Sequence, residues 1–303
     1  QAPEVGCVHA AAPPDGLVWG DFPDLPNDIA CDRLVPNRII CDWQTYLDLG
    51  SNLVRVQQYV QTMFSQVAVM YYNERISLTL KGIFVFTEAD PYRAWSSTGA
   101  LFPHFKNDPL WADNDAMMHL ISTRILGGGI ASLDFGPSAT LCDPVQRFAL
   151  TGNVRPANWF PYYSETVNIF AHELGHNMGS PHTHWCGWPG GAIDNCWSVE
   201  PDFNNQGCAQ GPQPTNGGTV MSYCHTNGSI GVNIANGFGP IPGGRIRQAY
   251  ANADCFGGGT NLEAYAVTRP QGAVAQIEAY GFGCTEGPFL YKLYKKDDDG
   301  SWT

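Results

Sequence analysis

The chain is short of positive charge. It has 16 Lys and Arg against 28 Asp and Glu, a formal net charge of −12, and no block of basic residues. A phosphate backbone needs a basic surface, so the composition speaks against nucleic acid as a partner and for an acidic, soluble surface. Long apolar runs are also missing. No stretch approaches the roughly 18 residues of a membrane-crossing helix. Nothing at Gln1 reads as a leader, so a secreted form is expected to be processed or trimmed. Ten cysteines occur without a single Cys-x-x-Cys pair, which disfavours a zinc ribbon. Disulfides made in an oxidising compartment are the better account, and with them an extracellular location. The triplet Gly127-Gly128-Gly129 fits neither a P-loop nor a dinucleotide fingerprint. The run Asp297-Asp298-Asp299 lacks the alternating ligand spacing of a calcium loop and reads as a solvated turn. Structural calcium is compatible with an acidic chain but has no diagnostic sequence here.

What is present supports a sizeable core. The chain has 303 residues, 44% of them hydrophobic, enough for one large domain with appendages. Residues 1–37 are rich in Pro, Asp and Ala without periodicity, and read as an extended arm or pro-segment remnant held by a disulfide. RIICDWQTYL from Arg38 reads as a strand. Over 52–74, Leu53, Val56, Val60, Met63, Phe64, Val67 and Tyr71 recur at helical spacing and predict a long helix packed on a sheet. ISLTLKGIFVFT, 76–87, predicts a central strand. Strand, helix and strand in that order imply a parallel sheet. A short helix at 96–106, a buried strand within 115–123, an edge strand at 130–135 and a helix at 164–178 follow.

Beyond residue 182 the pattern changes. Residues 183–244 are rich in Gly, Pro, Asn and Cys, and include Cys186, Cys196, Cys208 and Cys224. A segment with so little periodicity needs staples, which disulfides supply. A structural zinc site on those four cysteines is the alternative. A last helix is expected at 244–253. Residues 260–303 hold short alternating runs that predict a small appended β-rich module, cut within its pattern, so a longer precursor is expected.

The densest chemistry lies in NIFAHELGHNMGSPHTH, 168–184, which contains His172-Glu173-x-x-His176, Gly179 and His182. Residues four apart share a helix face, so His172 and His176 can meet one metal ion. Glu173 can reach a water on that ion. A continued helix would turn His182 away, so the helix must stop, and Gly179 is the residue suited to stopping it. Three imidazoles plus an open position is the coordination of a catalytic zinc. With Val220-Met221-Ser222-Tyr223 downstream, the pattern resembles the metzincin zinc endopeptidases. It is most similar to the adamalysin-like (reprolysin) group of bacterial secreted type, over roughly 38–256.

The resemblance implies an α/β metzincin-like fold. A mostly parallel sheet with long helices would face an irregular disulfide-rich half across the active-site cleft. The catalytic domain would span 38–259, with an upper part at 38–179 and a lower part at 180–259. It also implies one zinc ion held by His172, His176 and His182. Glu173 would act as general base on the zinc-bound water, and Met221 would form the floor of the site. The segment Gly129, Ile130, Ala131 and Ser132 would be the edge on which a peptide adds as a strand. Two features differ from the group, and a third is similar to another. Thr183 stands where adamalysins have Asp. Tyr223 follows the Met-turn as in astacins and serralysins, where it can act on zinc or the oxyanion. The Cys-rich interval is similar to that of pappalysins. Cys7 offers a second role, as a thiolate blocking zinc in a latent precursor.

Among other polar residues, His184 reads as a neighbour of the site or as exposed. His225 follows the Met-turn, Asp194 reads as a turn or wall residue, and His9, His104 and His119 have no motif around them. The specificity pocket is expected from 224–239. The function implied is a secreted, monomeric zinc endopeptidase acting on protein or peptide. An inactive metzincin-like binding or adhesion module is the alternative, against which Glu173 argues. A purely structural zinc protein is disfavoured by the lack of a fourth protein ligand.

Overall fold

The structure is a computed structural model describing residues 34–112, 115–155, 164–256, 266–268 and 274–278. Cys7, Cys31, His9, the arm at 1–33, Asp297 to Asp299 and most of the C-terminal runs lie outside the described residues. The chain builds strand β1 (Leu34–Cys41), helices α1 (Trp43–Asp48) and α2 (Leu53–Asn73), then β2 (Ser77–Phe86). Helix α3 (Thr98–Lys106), β3 (Met117–Ile121), β4 (Gly129–Ala131) and β5 (Phe148–Thr151) follow. Helices α4 (Ser164–Asn177) and α5 (Pro240–Asn252) and strands β6 (Ala266–Thr268) and β7 (Val274–Glu278) complete the described elements.

The strand–helix–strand start forms as its pattern predicts. Asn52 caps α2 by accepting from the Arg55 N–H at 3.1 Å. Val56, Val60, Met63, Phe64, Val67 and Tyr71 are buried along one stripe. β1 pairs in parallel with β2 on one side and β3 on the other, β3 pairs in parallel with β5, and β4 runs antiparallel along β5. The strand order is β4-β5-β3-β1-β2-β7-β6, which leaves β4 at one edge. Both faces of the sheet are covered. Ile39, Cys41, Ile83 and Val85 join the cluster under α2 and α4, while Ile40, Phe84, Phe86 and Leu120 join the one that includes Leu101, Phe102 and Phe105 of α3. Two buried faces explain why these strands read as continuous apolar runs.

Some expectations shift. The strand expected from Arg38 starts at Leu34 and ends at Cys41. Residues 43–48 are helical because buried Asp42 caps them, its Oδ1 accepting from the Thr45 N–H at 2.9 Å and from the Thr45 hydroxyl at 2.6 Å. The rim strand is three residues long, not the six expected at 130–135. β5 was not expected at all, and α5 begins at Pro240 rather than 244. β7 pairs antiparallel with β2, so part of the C-terminal segment extends the main sheet. No described helix is long and apolar enough to cross a membrane.

The half beyond residue 182 holds only short turns before α5 and is stapled. Cys186–Cys208 and Cys196–Cys224 are disulfides, which removes the four-cysteine zinc site as a reading. Cys142–Cys255 ties the loop before β5 to the end of α5. Cys41 is a buried free thiol, so disulfides do not account for every cysteine.

Candidate metal centre

Helix α4 ends where its motif requires. The Gly179 N–H donates to the His176 carbonyl at 2.8 Å and the Ser180 N–H to the Gly175 carbonyl at 3.1 Å. This paired closure needs a left-handed residue, and Gly179 has φ +79°. Arg245 of α5 holds the turn by donating to the Gly179 carbonyl at 3.2 Å and the Gly136 carbonyl at 2.8 Å. The chain then doubles back and brings His182 to the helical pair.

The three ligand candidates converge. His176 Nε2 lies 3.1 Å from His172 Nε2 and 3.1 Å from His182 Nε2. All three side chains are buried. Each Nδ1 faces an oxygen. His172 Nδ1 donates to the Val220 carbonyl at 2.7 Å, His176 Nδ1 to the Ser180 carbonyl at 2.7 Å, and His182 Nδ1 to Glu200 Oε1 at 2.8 Å. With the protons on Nδ1, the Nε2 lone pairs point at one another, and no proton lies between them. Such a set suits a cation. Zinc–nitrogen bonds of about 2.0–2.1 Å in a tetrahedron separate the nitrogens by about 3.3 Å, close to the spacing here. Burial, with the neighbouring His182 adding to it, pulls His172 down to about 3, so it is neutral as a ligand must be.

Glu173 follows His172 on α4. It is buried, its Oε2 has no hydrogen-bond partner among the described residues, and burial pushes its carboxyl well above the usual range. Its other side is pressed on β4. A Cβ at position 129 would come within 2.6 Å of the Glu173 Cγ and Cδ, so only glycine fits there. The Gly129–Glu173 contact could not be read from sequence, because 44 residues separate the two.

β4 presents backbone to the open edge. The Gly152 N–H donates to the Gly128 carbonyl at 2.8 Å, and the Ser132 N–H donates to the Phe148 carbonyl at 3.0 Å. Antiparallel alternation makes 130/150 the bonded pair between them, so the backbone groups of Gly129 and Ala131 point outward. Ile130 is turned to β5. The Ser132 carbonyl is taken by Asn177 Nδ2 at 2.9 Å.

Met221 is fully buried, with Sδ against α4 at Gly175, and its carbonyl accepts from the Thr183 N–H at 3.1 Å. The buried Tyr223 ring sits 4.5 Å from that of His182 and 6.0 Å from that of His172. His184 is fully buried rather than exposed, stacked 5.0 Å from His182. His225 is exposed beside Tyr223 and is in none of the metal-competent groups among the described residues. Asp194 is a turn residue, accepting from the Cys196 N–H at 3.0 Å. Its proximity to Cys196 and Cys224 is not a metal site, since those sulfurs bond each other. His104 stacks on Trp95, and His119 is a core residue stacked on Phe170 of α4. Sequence reasoning missed Glu200, which no motif marks.

A helix with two histidines four apart, a third beyond a left-handed turn, a buried glutamate and a methionine turn beneath define the class, that of the metzincin-type zinc metallopeptidases. The profile of metallopeptidase family M12 (Reprolysin_5) matches residues 36–233, well over half of the chain, and the chain belongs to that family. Among solved structures the chain is similar to metalloproteinase-II from Bacteroides fragilis, at 17% identity with a TM-score of 0.32. That match covers 53% of this chain and 46% of the other, so the chain spans about half the length of that structure.

Proposed function

We propose that this chain is a secreted zinc-dependent endopeptidase that cleaves a protein or peptide laid along the β4 edge. The observation that carries the reading is the convergence of three Nε2 atoms with every Nδ1 anchored, on a helix whose Glu173 keeps a buried oxygen with no partner among the described residues. Zinc bound by His172, His176 and His182 supplies Lewis-acid activation of water and polarisation of the peptide carbonyl. The protein's own groups do the rest. An extended substrate would pair with the outward N–H and C=O of Gly129 and Ala131, with Ile130 and Ser132 supporting the strand from within. That register lays the scissile peptide beside Glu173, which takes a proton from the attacking water at Oε2 and passes it to the leaving amine. Met221 packs beneath without a chemical part. The three disulfides among the described residues support an extracellular setting.

Chelation abolishes cleavage of a denatured protein and a peptide library, and one equivalent of zinc restores it. Full cleavage by zinc-free protein overturns the proposal. The Tyr223 ring lies 4.5 Å from that of His182, and its hydroxyl is proposed to stabilise the developing oxyanion. Tyr223→Phe is therefore expected to lower kcat about tenfold or more with zinc affinity unchanged, whereas an unchanged kcat makes the tyrosine a packing residue.

A further inference from the structure

The three zinc ligands are not held alike. His172 and His176 stand on α4, and their Nδ1 protons go to backbone carbonyls that the helix end and the Met-turn fix in place. His182 stands on irregular chain past the Gly179 turn. Its Nδ1 faces a side chain, Glu200 Oε1, at 2.8 Å. The same oxygen lies 3.2 Å from His184 Nε2. The chain turns here, the Trp185 N–H donating to the His182 carbonyl at 3.2 Å, and the turn brings both rings to one carboxylate. The rings stack within 11° of parallel, both fully buried, and His184 Nδ1 has no partner among the described residues. His184 therefore has one described contact for its polar edge, and that contact is Glu200.

Glu200 is itself built in. Its N–H donates to the His184 carbonyl at 3.0 Å and its carbonyl accepts from the Cys186 N–H at 2.8 Å. The segment carrying it is stapled on both flanks. Cys196 is bonded to Cys224, next to the Met-turn, and Cys208 to Cys186. The irregular loop returns a carboxylate to the one ligand that no helix orients.

On the reading that this site holds zinc, we infer that Glu200 is a positioning residue for the metal, fixing the tautomer and aim of His182, with His184 as a second donor that holds the carboxylate there. A carboxylate behind a ligating imidazole also makes that ligand more basic, and losing such a partner costs about 10–100-fold in metal affinity. The alternative for the same cluster is a second cation shared by His182, His184 and Glu200. It would have to displace the proton between His182 Nδ1 and Glu200, leaving His182 to bridge two ions.

The test is zinc affinity by chelator competition on the full chain with its disulfides intact, with folding checked by circular dichroism. Glu200→Ala is expected to weaken zinc binding about 30-fold while the zinc-free protein stays folded. Glu200→Gln, which keeps an acceptor oxygen, recovers most of that loss, and this guards against reading a folding defect as a metal effect. His184→Ala weakens binding less than Glu200→Ala does. Wild-type zinc affinity in Glu200→Ala overturns the inference. So does binding of two zinc equivalents by the wild type with one lost in His184→Ala. Because affinity is read without a substrate, failure of the peptidase proposal leaves these outcomes distinct: zinc bound as described but no peptide cleaved.

Discussion

At the scale of residues, the site is set by a few atoms whose neighbours permit no others. Gly129 is the clearest case. Its missing Cβ is the space that the Glu173 carboxylate occupies, so β4 and Glu173, the proposed substrate edge and proton acceptor, are in direct contact. Gly129→Ala is expected to push Glu173 aside, lowering kcat/KM about 100-fold with zinc affinity unchanged, since a misplacement near 1 Å costs about that much. Equal activity in the variant would show that Glu173 has room the contact denies. That His172 and His176 share a face was legible in the sequence because a helix converts spacing into direction, and the return of His182 because Gly179 marks where that helix must stop. Glu200 was not. It stands 18 residues past His182 in chain with no periodicity, and only the fold closes that distance.

At the scale of elements, the turn that ends α4 decides whether His182 returns to the helical pair. Gly179 takes a left-handed conformation, and a Cβ there would lie 2.8 Å from Arg245 Cζ. Gly179→Ala pays about 1–2 kcal/mol of backbone strain and moves Arg245. It is expected to lower the melting temperature by several degrees and zinc affinity about tenfold, measured by calorimetry and chelator competition. An unchanged affinity would mean that His182 reaches the metal without this turn. α2 and α4 were legible from their stripes and caps. β5 was not, because four residues give too short a pattern, and residues 43–48 were misread because the Asp42 cap outweighed an apolar run. The edge strand was expected in the right place but at twice its length.

At the scale of the molecule, two kinds of order meet at the site. Before residue 180 the chain builds a sheet covered on both faces, and its pattern announces this. After it, order among the described residues comes from disulfides, a methionine turn, α5 and the β7 strand on β2, and sequence reveals the need for staples but not their pairing. The sheet half contributes α4, β4 and Glu173. The stapled half contributes His182, Met221, Tyr223 and Glu200. Together these halves are proposed to hold zinc and give Glu173 the proton transfer. Glu173→Ala measured for zinc and for cleavage together tests it most directly. The variant is expected to bind one zinc with wild-type affinity and to lose at least about 100-fold in kcat. Cleavage at the wild-type rate by the zinc-loaded variant would contradict the account.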